Sequence, residues 1–203
     1  MNTLKQLPLM IVGLLILTLS SNVLALDIGD KAPKANVEMK NVDRSMISIA
    51  DARGENGTLV IFTCNSCPWT QAWSERIARL GNEFRERGIG VLAINSNDPS
   101  RDASDGFERM QQEARDLGLQ FPYVVDATSN VARAFGASRT PEAFLFNKEG
   151  DLVYHGTIDD NAHNPEQVKE QYLRSALEAV VQNADVPVKE TKAIGCGIKF
   201  RSS

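Results

Sequence analysis

Apolar positions along the chain switch between two periods. Leu59–Phe62 is a continuous run of Leu, Val, Ile and Phe, which reads as a strand buried on both faces. Trp69, Trp73, Ile77, Leu80 and Phe84 follow at steps of three and four, the stripe of an amphipathic helix. Arginines near its end and Gly88 beyond them place its C-terminus near 87–88. Ile89–Ile94 repeats the buried-strand pattern, and polar residues 95–104 with Pro99 form a loop at its end. Residues 105–117 predict a helix with Phe107, Met110, Ala114 and Leu117 on one face. A strand over 121–125 and a short helix over 129–135 come next. The run ending at Phe146 is another strand, 148–151 a turn, and 152–155 its hairpin partner. Asn164-Pro165-Glu166, a polar cap followed by proline, opens a last helix over 166–181, with Val168, Tyr172, Ala176, Leu177 and Val180 inward. Upstream, 37–39 and 47–49 alternate around Asn41–Arg44 as a small hairpin. Strands alternating with helices predict an α/β fold with a mostly parallel sheet covered on both faces, closed by antiparallel strands.

The first twenty-five residues stand apart from this pattern. Lys5 precedes an almost wholly apolar stretch, Leu7–Leu19, and Val23-Leu24-Ala25 ends in a small-x-small arrangement. These are the three regions of a secretory signal peptide, cleaved after Ala25. An uncleaved anchor is the alternative, but the apolar core is shorter than the roughly 20 residues a membrane span needs. The chain thus divides into a signal peptide (1–25), one globular domain (26–185) and a tail (186–203) that holds Cys196 between Gly195 and Gly197. The formal net charge is −4, and aromatic and basic residues are not clustered, which argues against a nucleic-acid partner. Export, to the periplasm, puts the cysteines in an oxidising space.

The candidate chemistry sits where the first main strand meets its helix, at Cys64-Asn65-Ser66-Cys67-Pro68. Unpaired N–H groups and the positive end of the macrodipole favour a thiolate at a helix start. Two cysteines three residues apart can close a ring disulfide and release a substrate. Coming first, Cys64 is expected to be the more exposed and the nucleophile, with Cys67 resolving. A permanent disulfide or half of a zinc site are the other readings. A zinc site needs about four ligands, and only Cys196, His155 and His163 remain, none closely spaced with another. Three cysteines leave one over, so Cys196 is a second resolving thiol, an intermolecular bridge or a buried free thiol.

This arrangement, with Thr140-Pro141 just before a strand, resembles the thioredoxin fold, in which a proline at that place is cis and packs against the disulfide. Within that fold, the N-terminal β-hairpin and the inserted helix at 105–117 look like the peroxiredoxin/TlpA-like branch. Four segments in order, Cys64–Pro68, Arg139–Glu142, Ile158–Asp160 and Gly195–Lys199, are similar to motifs of the peroxiredoxin-like bacterial group of the AhpC/TSA redoxin superfamily. The resemblance implies a cis Pro141 and a redox-active centre. It departs from the peroxiredoxin pattern: with Cys67 as the peroxidatic residue, proline and threonine belong at 60 and 64, where Val60 and Cys64 stand. The expected steadying arginine also falls near Pro141 rather than at Arg139.

Accessory candidates follow from position. Trp69 either lines a substrate groove or packs with Trp73, and Thr140 adjoins the proline. Glu142 either lies near the cysteines, raising their pKa, or faces solvent. Asp159 and Asp160, after a strand, either accept a proton or bind a cation, or form a solvated turn, the favoured reading. The expected function is an exported thiol–disulfide oxidoreductase that exchanges with protein or small-thiol partners. The alternatives are an antioxidant thiol peroxidase, and a thioredoxin-fold module that binds copper or a partner's cysteines. No metal or cofactor is expected; with no Gly-x-Gly-x-x-Gly turn after a strand, electrons come from another protein or a thiol.

Overall fold

The structure, a computed structural model, describes residues 26–202. The expected signal peptide lies outside the described residues. A hairpin of β1 (Met39–Asn41) and β2 (Met46–Ile47) leads to β3 (Gly57–Phe62), α1 (Pro68–Arg85) and β4 (Ile89–Asn95). Then come α2 (Phe107–Asp116), β5 (Tyr123–Val125), α3 (Asn130–Phe135), β6 (Arg139–Thr140), β7 (Glu142–Asn147) and β8 (Leu152–Gly156). The chain closes with α4 (Tyr172–Val181) and a two-residue strand, β9 (Cys196–Gly197).

Seven strands form one sheet in the order β2-β1-β5-β4-β3-β7-β8, while β6 and β9 pair separately. The sheet is mixed rather than mostly parallel. β3 runs parallel to β4, and β4 to β5, but β1 is antiparallel to β5 and β7 to β3. The reason lies in the entry to β7. The chain arrives at the end of the sheet where β3 finishes, pairing Glu142 with Phe62, and runs back to pair Asn147 with Gly57.

Alternation in the central strands divides the core in two. Leu59 and Ile61 pack with Val91, Ala93 and Leu145 beneath α1, α2 and α4, through Trp73, Ile77, Phe84, Met110 and Leu177. Val60 and Phe62 pack with Leu92, Ile94 and Phe144 beneath α3 and the N-terminal segment. On that second face Phe62, Phe135 and Phe144 meet edge-to-face, with ring centroids 5.2 to 5.7 Å apart, the arrangement aromatic quadrupoles favour.

Two helices start later than their sequence signals. α2 begins at Phe107 because Ala103–Asp105 forms a single 3₁₀ turn and Gly106 is extended. Pro165–Gln167 likewise makes one 3₁₀ turn, Val168 leaves helical geometry, and α4 begins only at Tyr172. The Asn-Pro-Glu signal therefore opens a turn that is not continued.

Candidate active site

β3 ends at Phe62, and Cys64, Asn65 and Ser66 form the loop into α1. Pro68 is the first helical residue, so the N-cap is Cys67, with φ −85° and ψ 122°. Proline suits that position because its absent N–H has no helical acceptor anyway. The expected ground for ranking Cys64 first does not hold in the structure. Cys67 stands at the helix end, and both cysteines are buried, at 2 % and 1 % exposure.

The third element is the turn before β7. The Thr140–Pro141 peptide is cis, as anticipated. Thr140 touches both sulfurs. Its hydroxyl lies 3.1 Å from Cys64 Sγ, and its carbonyl accepts from Cys67 Sγ at 3.0 Å. A fourth element comes from the tail. β9 pairs antiparallel with β6, setting Cys196 opposite Thr140, and the Cys196 N–H donates to Cys67 Sγ at 3.4 Å. All three thiols are unpaired and converge on one point.

This convergence decides where the negative charge sits. The Cys67 thiol is pulled down to about 4, chiefly because the Cys64 thiol donates to it, with help from the Cys196 thiol and the N–H groups of Thr70 and Cys196. Burial opposes that shift and is overcome. Cys64 moves up, since its proton is held by Cys67 and it is desolvated beside the Asp105 carboxylate. Burial and the neighbouring Cys67 charge push Cys196 up to about 11. Of the three, Cys67 is the thiol drawn most strongly toward losing its proton, and while protonated it donates that proton to the Thr140 carbonyl.

Asp105 holds the loop in place and was not singled out in the sequence. It is 2 % exposed. Its Oδ1 accepts from the N–H groups of Asn65 (2.8 Å) and Ser66 (3.3 Å) and from Asn95 Nδ2 (3.4 Å). Its Oδ2 accepts from Ser66 Oγ (2.7 Å) and Asn97 Nδ2 (2.9 Å). Tyr123 also contributes, its hydroxyl donating to Asn65 Oδ1 at 2.8 Å. From the tail, Lys199 Nζ donates to Ser66 Oγ at 2.9 Å and to Asp102 at 3.0 Å. The only signal available was a polar loop at a strand end, which names a region and no residue.

The other candidates stand apart from the sulfurs. Glu142 is buried, and its carboxylate is taken up by the N–H groups of Ser138 and Arg139 and by His155 Nε2 at 2.7 Å. It neither faces solvent nor lies against a thiol; it braces the turn that carries Thr140. Trp69 is half-buried between Trp73 and His163. Asp159 is not a solvated turn. It is buried, accepts from Trp73 Nε1 at 2.8 Å and pairs with Arg76, whereas Asp160 is exposed and receives the Lys169 N–H. Among the described residues no three His, Cys, Asp or Glu side chains are arranged to hold a metal ion.

Comparison with known proteins places this geometry. The thiol–disulfide oxidoreductase ResA of Halalkalibacterium halodurans is 26 % identical over 118 residues, which are 58 % of this chain and 62 % of that protein. The chain thus spans about three fifths of that relative's length. ResA of Geobacillus thermodenitrificans is 25 % identical over 71 % of this chain and 80 % of its own. Among solved structures, a hypothetical protein of Sinorhizobium meliloti 1021 superposes with a TM-score of 0.81 at 33 % identity, covering 88 % of this chain and 97 % of that one. A putative thiol:disulfide interchange protein DsbE of Chlorobium tepidum shares the thioredoxin-like fold, with a TM-score of 0.59 at 18 % identity over 77 % of this chain and 99 % of its own. A family model matches residues 28–155, more than half of the sequence, and by that match the chain belongs to the AhpC/TSA family.

Proposed function

We propose that the protein is an exported thiol–disulfide oxidoreductase whose two-electron couple is Cys64 and Cys67. The observation that carries this reading is the placement of the pair: Cys67 caps the start of α1, and Thr140, ahead of the cis Pro141, lies against both sulfurs. The Cys67 thiol is drawn down by the Cys64 thiol beside it. A dithiol in that state is one step from a ring disulfide. When a partner disulfide is reduced, the Cys67 thiolate and the Cys64 thiol give up two electrons and one proton and close the Cys64–Cys67 bond. The partner's sulfur–sulfur bond breaks, leaving one thiolate and one thiol. Thr140, joined to Pro141 by the cis peptide, lies against both sulfurs, and Asp105 holds the loop. The relatives named as ResA support the same class of reaction. The leader-like composition of residues 1–25 supports export to the periplasm.

A redox titration of the processed protein in glutathione buffers, with disulfide mapping by mass spectrometry, tests the reading. Cys64 and Cys67 are expected to titrate as one couple, and C67S should lower turnover of a model disulfide to background. Full turnover by C67S would reject it. One observation favours a second reading, a thiol peroxidase: the low-pKa thiolate is Cys67, the position that a peroxidatic cysteine takes in the resemblance described above. Rapid formation of a Cys67 sulfenic acid with hydrogen peroxide would select that reading instead.

A further inference from the structure

The couple is shut in. Cys64 and Cys67 are 2 % and 1 % exposed, whereas Cys196 is partly exposed. A cavity bordering Cys64 on the side of Phe121 and Tyr123 has a volume of about 30 Å³, room for a water molecule or two. On the other side lies a strap made of residues 195–199. The strap is fixed at four points: the Thr140–Cys196 pairing, Ile198 N–H to the Ser138 carbonyl (3.0 Å), Lys199 N–H to Asn97 Oδ1 (2.8 Å) and Asp98 N–H to the Lys199 carbonyl (2.7 Å). A protein disulfide or dithiol approaching this face meets Cys196 before it meets the couple.

We infer that Cys196 is a third redox thiol, the port through which the Cys64/Cys67 couple exchanges electrons with a protein partner. The inference rests on the oxidoreductase reading above. From the oxidised couple, Cys196 loses its proton and attacks Cys67 Sγ. The Cys67–Cys196 bond forms, the Cys64–Cys67 bond breaks, and Cys64 leaves as a thiolate that takes up a proton. No electron leaves the chain in this step. A partner thiolate then attacks the accessible sulfur, Cys196 Sγ, and Cys67 departs as a thiolate. The partner's second thiolate attacks its own sulfur in the mixed disulfide, releasing Cys196 and the partner's new disulfide. Run backwards, the same steps reduce a partner disulfide. The chemistry favours this division of labour. Which sulfur is attacked depends on access. Here the accessible sulfur is Cys196, partly exposed, while both sulfurs of the couple are buried.

The test uses the processed chain and insulin as the protein disulfide. When reduced wild-type protein is mixed with insulin and quenched with acid, the trapped mixed disulfide is expected to map to Cys196. Mapping to Cys64 or Cys67 would overturn the inference. In C64S, glutathione disulfide is expected to drive an intramolecular Cys67–Cys196 bond, and C196S should reduce insulin about tenfold more slowly than wild type. An oxidised C64S holding only glutathione adducts or intermolecular bridges, or a C196S that reduces insulin at the wild-type rate, counts equally against it. In those cases a wild-type Cys64–Cys67 couple still stands. If the wild type shows no such couple, the oxidoreductase reading itself fails.

Discussion

Thr140 serves both sulfurs of the pair with different atoms, its hydroxyl on Cys64 and its carbonyl on Cys67. Such closeness couples the three thiols, and their titration belongs to the group rather than to any one sulfur. The downward pull falls on Cys67, toward about 4 from an ordinary thiol value of 9.0, chiefly through the Cys64 thiol beside it. Between those limits the unfolded chain binds more protons than the folded one. Stability from this thiolate therefore grows as pH rises through the window and is lost as pH falls through about 4. For Cys196 the sign reverses. Its folded value is raised from 9.0 to about 11, so stability is lost as pH climbs through that interval. Ultraviolet thiolate absorbance of the reduced protein should persist from neutral pH down to about 4. Its disappearance near the ordinary thiol value would contradict the assignment. At this scale local spacing revealed the cysteine pair, while the cis Pro141 came from the resemblance to the thioredoxin fold. Sequence reading misplaced Glu142, which adjoins Pro141 in the chain yet binds the turn's own N–H groups and His155.

At the scale of elements, the strap depends on Gly195. A Cβ there would lie 2.2 Å from the Thr140 carbonyl oxygen and 2.7 Å from its carbon, both backbone atoms. A Cβ on Gly197 would meet nothing within 4 Å. Gly195→Ala is thus expected to lift β9 from β6, at a cost of about 2 kcal/mol. Alkylation of Cys67 by a bulky maleimide should speed up, and the Ile198 amide should exchange faster. Gly197→Ala should match wild type in both assays. Equal behaviour of the two variants would show that the strap does not need the close approach. Sequence reading found the glycines on either side of Cys196 and included a second resolving thiol among its readings, but not the pairing with β6 that sets it there. A two-residue strand has no period to detect, and its partner lies across 56 residues. The late start of α4 has a related cause. A cap and a proline mark where a helix can open, and whether the turn propagates depends on what the following residues can bury.

Over the whole molecule, Asp105 ties together segments that are distant in the chain. Just before α2 begins, one carboxylate binds the loop after β3, Asn95 at the end of β4, and Asn97 two residues further on. Asp105→Ala would leave several of those donors buried without a partner. The expected loss is about 3 kcal/mol, read by urea unfolding of the reduced protein. A change below about 1 kcal/mol would mean that water replaces the carboxylate without penalty. The layered α/β architecture was readable because continuous apolar runs mark the central strands and steps of three and four mark the long helix between them. The mixed direction of the sheet was not, because it is set by where β7 enters, and no local pattern encodes that.

The stretch shared with the AhpC/TSA family ends at residue 155. Cys64, Cys67, Thr140 and Pro141 fall inside it, while Gly195, Cys196 and Lys199 fall outside. The strap, whose Gly195–Lys199 segment resembles a motif of the same redoxin group, thus lies beyond that match yet covers residues within it. A chimera carrying 28–155 in another relative would inherit the couple and acquire whatever cover that host provides. Selectivity for one partner over another is then a trait to seek in the last few residues, which a substitution can change without touching Cys64 or Cys67.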